Sequence, residues 1–183
     1  MNSLEVPLVA MTIHSTISRE AFFPEREIIV SKTDLKGRIT YANKTFRDVS
    51  GFRDDELIGK PHSLVRHPDM PRTVFKVLWD TISGGREIFA YVKNLTKTGD
   101  YYWVFAHVTP SFGRDGNIVG YHSNRRVPRR AAIDHVITPL YATILAEESR
   151  HKNGRDALAA GVDCLANTLK VKSLTYEAFV LTL

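Results

Sequence analysis

Cysteine is almost missing from this chain: Cys164 is the only one in 183 residues. That excludes an intrachain disulfide and leaves no thiolate cluster for a metal, and a reducing cytoplasm is the expected compartment. Long apolar runs are missing too. No window approaches the ~20 apolar residues of a membrane span, so direct membrane insertion is not expected. The N-terminal Leu8-Val9-Ala10-Met11 lacks the basic start and the length of a signal peptide. There is no Gly-rich phosphate loop, no GxSxG, no HExxH and no kinase motif set, so an enzyme is not expected. Internal repeats and low-complexity tracts are also lacking.

The composition that remains, 43% hydrophobic and 25% charged, is that of a soluble globular chain with enough residues for a real core. A net charge of +5 raises nucleic acid as a partner. The excess is scattered, however, and its one cluster, Arg125, Arg126, Arg129 and Arg130, includes Pro128 and has no recognition-helix pattern. We read it as a solvated linker and expect no nucleic-acid partner.

Residues 1–25 show no sustained periodicity and read as an N-terminal arm. Glu27–Thr33 and Arg38–Ala42 read as strands around the turn Asp34-Leu35-Lys36-Gly37. Asn43 stands where a helix cap belongs, Gly51 ends that helix, and a second short helix runs to Gly59. Pro71 opens a longer helix whose Phe75, Leu78, Trp79 and Ile82 recur at i, i+3, i+4, i+7. Ile88–Thr96, Tyr101–Pro110 and Ile118–Asn124 complete a set of five strands, joined by turns at Gly99-Asp100 and Gly113–Gly116. The expected fold is α+β: a five-stranded antiparallel sheet over 26–127 with short helices on one face. From residue 128 to 183 the period turns helical, with Ile133, Val136, Ile137, Leu140, Tyr141, Ile144 and Leu145 forming one stripe. A second helix follows Gly154, and Leu174–Leu183 can form a third.

Between the two β-rich blocks, Leu64-Val65-Arg66-His67-Pro68-Asp69-Met70-Pro71 packs two cations, a carboxylate and two prolines into eight residues. A stiff segment loaded with polar side chains suits the wall of a small-molecule pocket better than a core.

The order and lengths of these elements resemble a PAS domain, and Ile39–Asn43, Ser50-Gly51-Phe52, Glu56–His62, Gly99–Val104 and Gly120-Tyr121 fit that pattern. Val65–Pro71, followed by Phe75, Leu78-Trp79 and Asn94, resembles more narrowly the sensory domain of bacterial aerotaxis receptors. The resemblance implies a PAS domain that holds FAD non-covalently and signals redox, oxygen or energy state to a chemotaxis partner. Lacking an anchor, a HAMP module and methyl-accepting helices, the chain looks more like the stand-alone PAS partner of a split energy-taxis system. Residues 128–183 would then dock on a membrane-bound taxis protein or form a homodimer.

The residues suit a flavin. Phe75 and Trp79 offer apolar walls, Asn43 and Asn94 can donate and accept at the ring edge, and Arg66 and His67 offer cations to a pyrophosphate. Asp69 can orient either cation or bond a ribose hydroxyl. Each also has a plainer role: Phe75 and Trp79 as core, Asn43 and Asp69 as helix caps, His67 as an ordinary packed histidine. Haem is the rival cofactor, with His62, His67, His107 and His122 as candidate axial ligands, and a cofactor-free interaction module is the third reading. Light-driven adduct formation is not expected, because no cysteine stands in the helical segment beside the expected ring.

The fourth strand carries a last signal. Tyr102, Val104, Ala106 and Val108 form one apolar face, while Tyr101, Trp103, Phe105 and His107 form an aromatic one. Both faces therefore need cover. The candidates for the outer lid are the Ile133–Leu145 stripe of the same chain or a second subunit or partner. Truncation after Arg130 is expected to uncover that face and to leave flavin binding largely intact.

Overall fold

The computed structural model describes residues 18–183; most of the expected N-terminal arm lies outside them. Its frame is a five-stranded sheet in the order β2-β1-β5-β4-β3, every pairing antiparallel. Strands β1 (Ile29–Thr33) and β2 (Ile39–Ala42) form a hairpin whose turn needs Gly37 at φ 73°. Strands β3 (Ile88–Leu95), β4 (Tyr101–Phe112) and β5 (Ile118–Arg126) make a meander, and β5 returns to pair with β1.

The connection from β2 to β3 lies on one face. Asn43 caps helix α1 (Lys44–Ser50), and Gly51 at φ 74° closes it. Helix α2 (Asp54–Leu57) and a 3₁₀ turn (His62–Val65) follow. Helix α3 (Arg72–Ser83) then buries Val74, Leu78 and Ile82 toward the sheet. The Arg66–Met70 stretch runs along β3, an edge strand. His67 N–H donates to Lys93 O (3.4 Å), Lys93 N–H to Met70 Sδ (3.2 Å), and Arg66 bridges to Asn94. The proline-stiffened segment thus covers an open edge.

The other face carries the start of the C-terminal helical region. Helix α4 (Arg130–Ala132) passes through a π turn (Ile133–Ile137) into α5 (Thr138–Ser149). Pro139, with no N–H and a ring that displaces the carbonyl four residues back, accounts for the misfit absorbed in that turn. Of the two candidate lids, the stripe packs on the sheet of its own chain. Ile133, Ile137, Tyr141 and Ile144 are buried, Tyr141 tilts over Trp103 (6.2 Å between rings), and its hydroxyl donates to Tyr91 O on β3 (2.7 Å). Helix α6 (Gly154–Val171) packs on α5 and reaches α3, and α7 (Tyr176–Leu181) lies against β3. Among the described residues no helix is long and apolar enough to cross a membrane.

The Arg125–Arg130 cluster is not the solvated linker expected from sequence. Arg125 and Arg126 continue β5 past Asn124, and Arg125 points into the sheet's inner face with 2% exposure. Arg126, Arg129 and Arg130 face solvent, where Arg130 pairs with Glu20 and Asp134.

Candidate functional site

A cavity of about 540 Å³ lies between α3 and the inner face of the sheet, within the size range of ligand pockets. Its apolar wall comes from Phe75, Leu78, Trp79 and Ile82 on one side and Val92, Ala106 and Val108 on the other. Strand alternation sends these sheet residues inward and their neighbours out.

Four of the seven expected site residues line this cavity: Arg66, Phe75, Trp79 and Asn94. Arg66 lies over the Phe75 ring at 4.2 Å and donates to Met70 O (3.1 Å). Burial lowers its pKa, and the charge of Glu148 opposes that shift. Trp79 is 37% exposed and spans the cavity rim, edge-on to Tyr121 at 5.4 Å. A Cβ on Gly37 would stand 3.0 Å from the Trp79 ring, so the β1–β2 turn and the indole fit closely.

The other three stand elsewhere. Asn43 Oδ1 accepts from Phe46 N and Val30 N, both at 3.0 Å, while its Nδ2 donates to Ile28 O (2.7 Å). All its contacts go to backbone, joining α1 to β1. His67 and Asp69 do not line the cavity, because the chain after Arg66 folds into a turn over Pro68-Asp69 that Met70 N–H closes on His67 O (3.1 Å). His67 Nδ1 accepts from Asp69 N–H (3.0 Å), and Asp69 pairs with Lys93 Nζ (2.7 Å). Burial and the Lys93 charge lower the His67 pKa; the Lys93 hydrogen bond lowers that of Asp69.

The sequence reading missed the polar floor of the cavity. Arg125 Nη2 donates to Ser31 Oγ (2.5 Å), Ser31 Oγ meets His62 Nε2 (3.2 Å), and the guanidinium lies 4.4 Å over the Phe46 ring. Burial, reinforced by Arg125, pushes the His62 pKa down to about 3, so the ring is neutral at pH 7. Burial lowers that of Arg125 to about 10, leaving it charged, and raises that of Tyr102 to about 12. Arg125 Nε and Nη1 are buried without a hydrogen-bond partner among the described residues; Asn94 Nδ2 and Tyr102 Oη, close enough for Asn94 to hold the Tyr102 pKa back from a larger rise, make no well-formed bond either. No carboxylate there pairs with Arg125. A buried cation with two idle donors is costly unless something else accepts from them. Tyr121, Ser123 and Arg125 fall on one face of β5, and that alternation was the signal available in the sequence.

At the rim, Lys36, Arg72 and Lys76 join Arg66 among the lining residues; of these, Lys76 pairs with Asp80. The site therefore combines flat apolar walls, a cationic amide-bearing floor and a basic mouth. It suits a planar heteroaromatic ligand with acceptors on its edge and an anionic tail. Cys164 lies on α6 and does not line the cavity.

Residues 39–125 match the family model described as PAS fold. The chain is 44% identical over 120 residues to the Aerotaxis receptor of Escherichia coli (strain K12), covering 64% of this chain and 23% of that protein. It is 29% identical over 93 residues to Biofilm dispersion protein BdlA of Pseudomonas aeruginosa, covering 50% of this chain and 22% of that one. It thus spans less than a quarter of the length of either relative. Among solved structures, the light-state LOV domain of the blue-light photoreceptor Aureochrome1 superposes with a TM-score of 0.52 at 23% identity, over 67% of this chain and 91% of that one. At this identity the likeness speaks for the fold alone.

Proposed function

We propose that the PAS domain formed around residues 39–125, a relative of the one in the E. coli aerotaxis receptor, is a non-enzymatic cytoplasmic sensor. In this reading it holds FAD and reports redox, oxygen or energy state to a membrane-bound taxis protein. The observation that carries the reading is the cavity floor. Asn94 and Arg125 line an otherwise apolar cavity and present idle donors, Nδ2 from one and Nε and Nη1 from the other. A flavin edge bears the carbonyls and ring nitrogens that such donors require.

The residues divide the work. Phe75 and Trp79 exclude water from the ring faces. Asn94 offers both a donor and an acceptor to the edge. Arg125 holds a fixed positive charge against it and favours any negative charge that develops there. Arg66, Lys36 and Arg72 attract the phosphates at the mouth. When bound, a flavin supplies reversible electron and proton transfer. Haem has less support: His62 Nε2 is engaged by Ser31, and the Arg125 cation at the far end of that bond would oppose a cationic iron.

The absorption spectrum of the purified protein, before and after incubation with FAD, tests the reading. Bands near ~370 and ~450 nm that survive gel filtration are expected. A Soret band near ~400 nm would replace FAD by haem, and a protein that retains neither would be a cofactor-free interaction module.

A further inference from the structure

Helix α3 forms one wall of the cavity, yet the residue that caps it comes from the far end of the chain. Its N-cap position is Pro71, which has no side-chain hydrogen bond to give. Instead the carboxylate of Glu148, on α5, accepts from Arg72 N–H (3.1 Å), Thr73 N–H (2.8 Å) and the Thr73 hydroxyl (2.8 Å). Glu148 is 7% exposed, so these bonds replace the water it has lost. Helix α6 seals the same point. A Cβ on Gly161 would stand 2.2 Å from Thr73 Oγ1 and 2.9 Å from Glu148 Cγ, so only glycine lets the three helices meet. One turn earlier, Leu158 of α6 lines the cavity itself.

We propose that Glu148 is a positioning residue of the ligand cavity, and that its latch on α3 makes α5–α6 the element from which a partner reads the cavity's state. The proposal rests on the reading of the cavity as a flavin site. Arg72 and Thr73, which Glu148 holds by their amides, begin the helix that carries Phe75 and Trp79. A ligand that draws on Arg66 or Arg72, or packs on the aromatic wall, favours the position of the helix whose end Glu148 grips. The bonds are short and directional, so the latch holds α3 in that one position. Coupling is reciprocal: an intact latch favours the ligand by the same factor by which the ligand favours the latch. On this proposal the cavity and the helices beyond residue 128 work together, and truncation after Arg130 would remove Leu158 from the cavity lining as well as the lid.

The test uses the whole chain and FAD as probe. Hydrogen exchange of 72–76 and 138–171 is measured with and without FAD, beside FAD affinity, for wild type, Glu148→Ala, Glu148→Gln and Thr73→Val. In wild type, FAD should slow exchange at the α3 amides and across α5–α6. Glu148→Ala should lower affinity about tenfold, ~1.4 kcal/mol, and abolish the FAD-dependent protection of α5–α6. Glu148→Gln, which keeps a carbonyl acceptor, should recover part of both. Thr73→Val preserves shape and the amide bonds; if Glu148→Ala fails to fold, a severalfold loss of affinity in Thr73→Val carries the test. A wild type that takes up no FAD overturns the cavity reading and this proposal with it. A wild type that binds FAD, with α5–α6 exchange unmoved or equally moved in the variants, overturns the latch alone.

Discussion

Replacing Arg125 by Met separates what the protein needs in order to fold from what its ligand needs in order to bind. Burial lowers the pKa of Arg125 from 12.5 to about 10. At ~1.36 kcal/mol per pH unit, burial opposes the charged form by about 3 kcal/mol. Because the folded-state value lies below the unfolded one, that penalty is present at pH 7 and fades only as pH rises from 10 toward 12.5. The bond to Ser31, at ~1.5–3 kcal/mol for a charged donor, and the contact with Phe46 offset much of it. Met fills the volume of the stem without the charge. The ligand-free variant should therefore be as stable as wild type, or more stable by up to ~2 kcal/mol. FAD, by contrast, would lose the bonds offered by Nε and Nη1, together ~3 kcal/mol or more, and affinity should fall at least ~100-fold. Urea midpoints with and without FAD, alongside fluorescence titration, read both quantities. A ligand-free variant destabilised by more than ~2 kcal/mol, yet binding FAD within about threefold of wild type, would make Arg125 a core residue and refute the reasoning.

Two further outcomes follow from the same floor and rim. His62, held neutral down to about pH 3, protonates more readily when unfolded, so stability should be full above pH 6.5 and fall as pH drops toward 3, with ~2 kcal/mol lost by pH 5; urea midpoints at pH 7 and 5 should show His62→Gln largely free of that slope, and an identical slope would clear His62. Gly37→Ala strains a φ of 73° and drives a methyl to 3.0 Å from Trp79, so it should cost ~1 kcal/mol and weaken FAD binding severalfold; a variant that loses stability alone, with titrated affinity unchanged, would detach Trp79 from the ligand.

Much of the frame was legible because it is written locally. Turn glycines at 37, 99 and 116, the Asn43 cap and the Pro71 helix start each require a particular backbone state. The helical period of Phe75, Leu78, Trp79 and Ile82 announced a wall, and the two-faced β4 announced a lid. What escaped was set by tertiary context. Arg125 was grouped with Arg126, Arg129 and Arg130 by proximity in sequence, whereas the strand's period of two separates it from Arg126 and joins it to Ser123. His67 and Asp69 were grouped with Arg66 in the same way, and the turn at Pro68-Asp69 parts them. Glu148 gave no local sign at all, since its partners lie 75 and 76 residues away. Nor did the helical stripe from Ile133 disclose the π turn that Pro139 attends.

The strand order has a consequence in time. With β5 between β1 and β4, the middle of the sheet joins its first strand to its last, Ile29 opposite Arg125. The hairpin β1–β2 and the meander β3–β5 can each form from neighbours in sequence, but closing the sheet means bridging a loop of nearly a hundred residues. On a ribosome that closure waits until Arg126 has emerged, and with it the cation that completes the cavity floor. The cavity floor is thus the last thing the sheet makes, and Leu158 of α6 joins the lining later still. A ligand present during synthesis would meet a nearly finished sheet and favour the one step still outstanding, so cofactor supply should govern the yield of folded protein as well as its occupancy.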